Sequence, residues 1–140
     1  MFDFLRKNNE EKVLSDSFVE IACLLIHASR IDEKYTDTEK DIIKKTLLKF
    51  GAKENEIQII INKAEILEKD SNQILDFTKN LKNVEQEKKI LIIEGLWEII
   101  FSDEKSDMYE SNLMRRLTGL LYLDPKIVGD IKENIRSKKL

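Results

Sequence analysis

One cysteine (Cys23), one histidine (His27), one proline (Pro125) and four glycines are all that the 140-residue chain holds of those four types. A single thiol excludes an internal disulfide and a thiolate metal cluster. So few glycines and prolines leave little punctuation for a loop-rich or strand-rich fold. Asn-Gly and Asp-Gly turns are absent, as are runs of alternating apolar and polar residues. Apolar stretches such as Ile57 to Ile61 and Ile90 to Ile93 fall far short of the roughly 20 residues that span a bilayer. The N-terminus has neither the apolar core nor the small-residue cleavage site of a signal peptide, so a cytoplasmic protein is expected. Basic excess is missing too. With 24 Lys and Arg against 27 Asp and Glu the net charge is −3, no basic stripe stands out, and nucleic acid is excluded as the expected partner.

What remains is apolar periodicity and charge. Hydrophobic residues make up 41% and charged residues 36%, the balance of long helices with one solvated face. A short leading helix over Met1 to Lys7 is expected, then helices over about Ser15–Arg30, Thr36–Gly51, Glu54–Lys69, Ser71–Leu81, Glu85–Phe101, from Asp107, and from Asp124 onward. Thr36 followed by Glu39 is a capping-box pattern. Gly51 suits a helix C-terminus, and Asp124-Pro125 suits a cap followed by a favoured first-turn proline. The segment around Ile90, Ile93, Leu96, Trp97 and Ile100 has few polar faces and is expected at the centre. With no linker in evidence, the chain reads as an N-terminal segment (1–14) and a single all-α domain (15–138) of about seven helices.

A duplication runs through this pattern at an offset of 71 residues. Asp32-Glu33-Lys34 matches Asp103-Glu104-Lys105, and Glu39 matches Glu110. Beyond the loop, Ile21 maps to Ile92, Leu25 to Leu96, Ile42 to Leu113, Ile43 to Met114, and Lys44-Lys45 to Arg115-Arg116. A helix, an acidic loop and a capped helix therefore occur twice. The two units are expected to pack about an approximate two-fold axis, each covering the other's apolar face.

At these loops the chain resembles the TerB-like (tellurite-resistance protein B-like) family, related to the N-terminal domain of the DjlA co-chaperones. The resemblance rests on Leu96-Trp97-Glu98-Ile99-Ile100-Phe101-Ser102-Asp103, on Asp107-Met108-Tyr109-Glu110 and on Leu113-Met114-Arg115-Arg116-Leu117. It is looser from Leu24 to Glu39, and spans about Ser15 to Ile135. It implies an all-α bacterial domain, a link to tellurite and other stress responses, and metal binding at the acidic loops. Three departures stand out. Glu33 and Glu104 occupy the family's loop glycine, Thr36 replaces the acidic cap, and His27 replaces the helix glutamate.

The loops admit two readings. Asp103, Asp107 and Glu110, with Asp32 and Glu39 as a thinner set, offer hard oxygen ligands to a divalent cation such as Ca²⁺ or Mg²⁺. The simpler reading makes these residues caps, satisfying the N–H groups at a helix start and suiting its dipole. Other polar candidates are His27, read as a half-buried histidine near Glu20, and Glu94 and Glu98, four apart on one helix. A salt bridge from those carboxylates to Arg115 or Arg116 is expected, because a buried carboxylate needs a partner. Cys23 and Trp97 read as core residues. Phe2, Phe4 and Leu5 are expected to fold back on the core, so membrane contact is not expected.

Since no catalytic constellation accompanies Glu94 and Glu98, the chain reads as a non-enzymatic interaction domain with a protein partner. A cation-binding or sensing protein is the alternative. Tellurite handling is not implied, because no thiol pair is present.

Overall fold

The computed structural model describes residues 17–30, 35–70, 77–102 and 108–138, the side chains of 108–111 excepted. Among them are six α-helices and no strand: α1 (17–30), α2 (Asp37–Phe50), α3 (Ile57–Asp70), α4 (Gln86–Ser102), α5 (Met108–Leu120) and α6 (Pro125–Lys138). The expected leading helix and the 1–14 segment lie outside the described residues.

Local chemistry sets the helix ends. The Glu39 N–H donates to Thr36 Oγ1 (3.2 Å) and the Thr36 N–H donates to Glu39 Oε1 (2.9 Å), the reciprocal capping box that starts α2. Gly51, at φ 118°, ends it in the left-handed conformation that costs glycine nothing. A 3-10 turn, Glu54–Glu56, leads into α3. At α6 the Lys126 N–H donates to Asp124 Oδ1 (3.0 Å), and Pro125 takes the first helical position.

The segment expected to form a helix over Ser71–Leu81 does not do so where it is described. Phe77 is in 3-10 conformation, residues 78–80 turn, and Leu81–Asn83 form one 3-10 turn. Asn80 directs both its backbone N–H and its side-chain amide to the carboxylate of Glu20 on α1 (3.2 and 2.7 Å), which removes a donor from any helical ladder. Phe77 and Leu81 are buried and anchor the segment. The described helices therefore number six and not about seven.

The centre also differs from expectation, for α4 shares it with α1. Ile21 to Ile26 are six consecutive buried residues, more than one full turn at 3.6 residues per turn, so α1 has no solvent face there. Along α4, Ile92, Ile93, Leu96, Ile99 and Ile100 are equally buried. Both α2 and α6 pack on α4. Helix α1 lies on α3, where the Cys23 thiol donates to the Ala64 carbonyl (3.6 Å). It meets the end of α2 through an edge-to-face contact of Phe18 with Phe50 (5.9 Å between centroids).

The duplication recurs in the backbone. Helices α2 and α5 start at Asp37 and Met108, 71 residues apart. At the same offset the Ala52 N–H donates to Leu47 O (2.9 Å) and the Leu123 N–H to Thr118 O (3.0 Å), the same long closing bond of a helix C-terminus. Gly51 has its counterpart in Tyr122, also left-handed at φ 56°. His27 and Glu98, counterparts in sequence, are both half-buried.

Tyr122 is 71% exposed and is the one non-glycine at positive φ among the described residues. A left-handed residue with a Cβ costs about 1–2 kcal/mol. Its ring lies 5.9 Å from Lys89 Nζ, a contact worth about 0.5–1 kcal/mol at an exposed site. Tyr122→Gly, the residue of the first copy, should therefore stabilise the fold by about 0.5 kcal/mol. A melting temperature equal to or below the parent's would show that the turn bears no strain.

Candidate functional site

The acidic loops contribute little to the described structure. Asp32, Asp103 and Asp107 lie outside the described residues, and so does the side chain of Glu110. Glu39 is described and buried. Its Oε1 accepts from both the N–H and the hydroxyl of Thr36 (2.9 Å each), so the carboxylate is engaged as a cap. Among the described residues no three His, Cys, Asp or Glu side chains gather where a metal ion could be held.

A polar cluster that the sequence reading missed closes the α1–α3 interface. Glu68 of α3, 9% exposed, accepts from the Arg30 guanidinium, and its other oxygen lies 3.4 Å from His27 Nδ1. His27 also meets the Phe77 ring. The half-buried histidine expected from sequence is present, with Glu68 as its neighbour, while Glu20 turns to Asn80. Arg30 and Lys40 both lie over the Tyr35 ring (5.3 and 4.9 Å), and the Tyr35 hydroxyl donates to Glu65 Oε1 (3.1 Å). Burial pushes the Tyr35 phenol well above its usual range, and the carboxylate of Glu65 adds to the shift. These bonds tie helix ends together.

Cys23 is buried beneath this cluster. Burial pushes its thiol up to about 12, and the negative charges of Glu68 and Glu20 act in the same direction. A thiol whose pKa is raised in the folded state stabilises the fold fully below its unfolded value, and that contribution is lost as pH rises from about 9 toward 12. The urea midpoint of the parent should therefore fall more steeply above pH 9 than that of Cys23→Ala. Parallel profiles would show that the thiol ionises equally in both states.

Two clefts flank α6. The first, of about 450 Å³, runs between α2, α4 and α6 and is lined by Glu94 and Glu98 together with Lys45, Lys49 and Lys138. None of these lysines comes within ion-pair distance of either carboxylate. The expected bridge from Glu94 or Glu98 to Arg115 or Arg116 is not formed. Both arginines are exposed, and Arg115 lines the other cleft, on the far side of α6. The sequence reading placed the four residues together because it assumed Glu98 buried, whereas it is half-buried at a solvated groove.

The second cleft, of about 410 Å³, lies between α4, α5 and α6. Its floor is Trp97, Met114, Leu123 and Val128, its rim carries Arg115 and Lys132, and no carboxylate, thiol or imidazole lines it. The Trp97 indole N–H donates to the Val128 carbonyl (3.2 Å), which ties the edge of the ring to α6. Phe101 stacks on it at 5.7 Å, and Lys132 Nζ sits 5.2 Å from the ring centroid. The helical spacing makes the cleft: Met114, Arg115, Thr118 and Gly119 form one stripe of α5, and Pro125, Val128, Gly129 and Lys132 one stripe of α6. Trp97 was legible as core. Lys132 and the two glycines were not singled out, though carrying the 71-residue offset past the loops would have exposed them.

No described helix is long and apolar enough to cross a membrane. No curated protein and no solved structure matches the chain significantly. A family model, that of the tellurite resistance protein TerB, matches residues 18–133, nearly the whole of the described fold. With six helices among the described residues and that match across most of its length, the chain belongs to the TerB family.

Proposed function

We propose that this TerB-family chain is a non-enzymatic protein-interaction domain that acts in a bacterial, cytoplasmic stress-response assembly. One observation carries the reading: the cleft between α5 and α6 presents an apolar floor and a cationic rim to solvent, and no carboxylate, thiol or imidazole lines it. Such a surface is suited to holding another molecule. The stress context comes from the family alone.

The test is capture from a lysate of the native organism on the immobilised full-length chain at about 0.15 M salt, where weak surface electrostatics are screened. A protein retained in stoichiometric amount, and dissociated by excess soluble chain, is expected. Retention of nothing above the level of an unrelated helical protein would refute the reading.

A further inference from the structure

The two halves of the chain differ in the lining of the α5–α6 cleft. At the offset that aligns Gly51 with Tyr122 and Leu47 with Thr118, Gly119 stands opposite Leu48 and Gly129 opposite Gln58. Trp97 and Lys132 stand opposite Ile26 and Ile61, two buried aliphatic residues of the α1–α3 half. Pro125 stands opposite Glu54. The second half has thus lost two side chains, exchanged an apolar pair for an aromatic ring under an ammonium group, and dropped an acidic residue. The two glycines widen the cleft, and the changes at Lys132 and Pro125 make it more positive.

The fold itself does not call for these glycines. A Cβ built on Gly119 or Gly129 meets no atom within 4 Å, and neither residue has positive φ. Glycine inside a helix is less stable than almost any other residue but proline. Tyr122, in the turn joining α5 to α6, adds an exposed aromatic ring in a backbone conformation that glycine would adopt without strain. Two positions in the lining of the cleft, and a third in the turn that joins its two helices, therefore hold residues less suited to stability than those of the other half.

We infer that the α5–α6 cleft is the docking site for an acidic, apolar segment of a partner protein, a stretch that sets a bulky apolar side chain on Trp97, Met114 and Val128 with carboxylates beside Arg115 and Lys132. The assignment rests on the interaction reading above and names the chemistry of its partner. Charge complementarity selects the segment, because the lining has two cations and no anion. The two glycines admit a backbone close to the helices.

Trp97 is the sole tryptophan of the chain, so its emission reports directly on the floor of the cleft. The experiment pans a random twelve-residue peptide library on the full-length chain, then titrates the enriched peptides while following Trp97 emission. Enrichment of Asp or Glu next to Phe, Trp, Leu or Ile is expected, with saturable change in emission. Gly119→Leu and Gly129→Gln, each installing the residue of the first half, should weaken binding by about tenfold or more through occlusion while the melting temperature holds or rises. Lys132→Glu should weaken it by a similar factor of about ten and reduce its salt dependence.

Peptides without acidic residues, or no enrichment over uncoated support, would overturn the assignment. Binding that leaves Trp97 emission and all three variants unaffected would move the site elsewhere, defeating the cleft but leaving the interaction reading intact. A dimer that dissociates in Gly119→Leu would give the cleft to a second copy. A Trp97 emission shift produced by Phe2→Ser with Phe4→Ser, with no peptide added, would give it to the chain's own N-terminal segment. Either result would overturn the assignment to a partner.

Discussion

Arg30→Met should lower the stability of the fold by about 2–3 kcal/mol, read as a reduced urea midpoint with unchanged slope. The cause is the carboxylate left behind. Glu68 is 9% exposed, and its charge is met by the Arg30 guanidinium, with His27 Nδ1 at 3.4 Å from its second oxygen. Breaking a fully buried pair from one side costs about 3–5 kcal/mol. Arg30 is 26% exposed, so water recovers part of that cost and the lower figure follows. The substitution also removes the guanidinium from the face of Tyr35, a contact of about 0.5–1 kcal/mol. Arg30→Met with Glu68→Leu removes both charges and should be more stable than Arg30→Met alone, because no unpaired carboxylate remains. A double variant as unstable as the single one would show that packing, and not the orphaned charge, dominates.

Gly95→Ala should destabilise by about 1–3 kcal/mol, the cost of overpacking a well-fitted contact. On propensity alone the change would gain about 1 kcal/mol, since alanine is the better helix former. The crossing of α2 on α4 decides the sign. A Cβ on Gly95 would lie 2.6 Å from Thr46 Oγ1 and 3.0 Å from Thr46 Cγ2. Thr46 is buried and β-branched, and its hydroxyl donates to the Ile42 carbonyl (2.9 Å), so it has little freedom to turn aside. Removing both atoms by Thr46→Ala leaves only the Thr46 Cβ position, 3.3 Å away, and should restore most of the loss in the double variant. Strict additivity of the two changes would show that the helices meet elsewhere. The same arithmetic separates Gly95 from Gly119 and Gly129: all three sit inside helices, but only Gly95 has a neighbour that requires it.

Much of the architecture was readable from short stretches of chain. Thr36 and Glu39 announce the start of α2, Gly51 its end, and Asp124-Pro125 the start of α6, because each cap is a bond between residues two to five apart. The repeat was equally legible, and the structure extends it to the paired closing bonds at Leu47–Ala52 and Thr118–Leu123. The helix expected over Ser71–Leu81 went astray for the opposite reason. What unwinds Asn80 is Glu20, sixty residues earlier in the chain. Similarly, Glu98 looked like half of a buried salt bridge until the packing of α6 on α4 set it in one cleft and Arg115 in the other.

By itself the sequence determined the all-helical class, the ends of α2, the start of α6 and the duplicated unit, because caps and 3.6-residue periodicity act over a few residues and do not depend on what lies across the core. Only the tertiary structure decided that α1 shares the centre with α4, that Arg30 reaches Glu68, and that Gly95 is required by Thr46. It also decided that Gly119, Gly129 and Lys132 border one cleft with Trp97. Those facts depend on which helix faces meet and at what distance, and close packing of rigid helices sets that jointly for the whole chain.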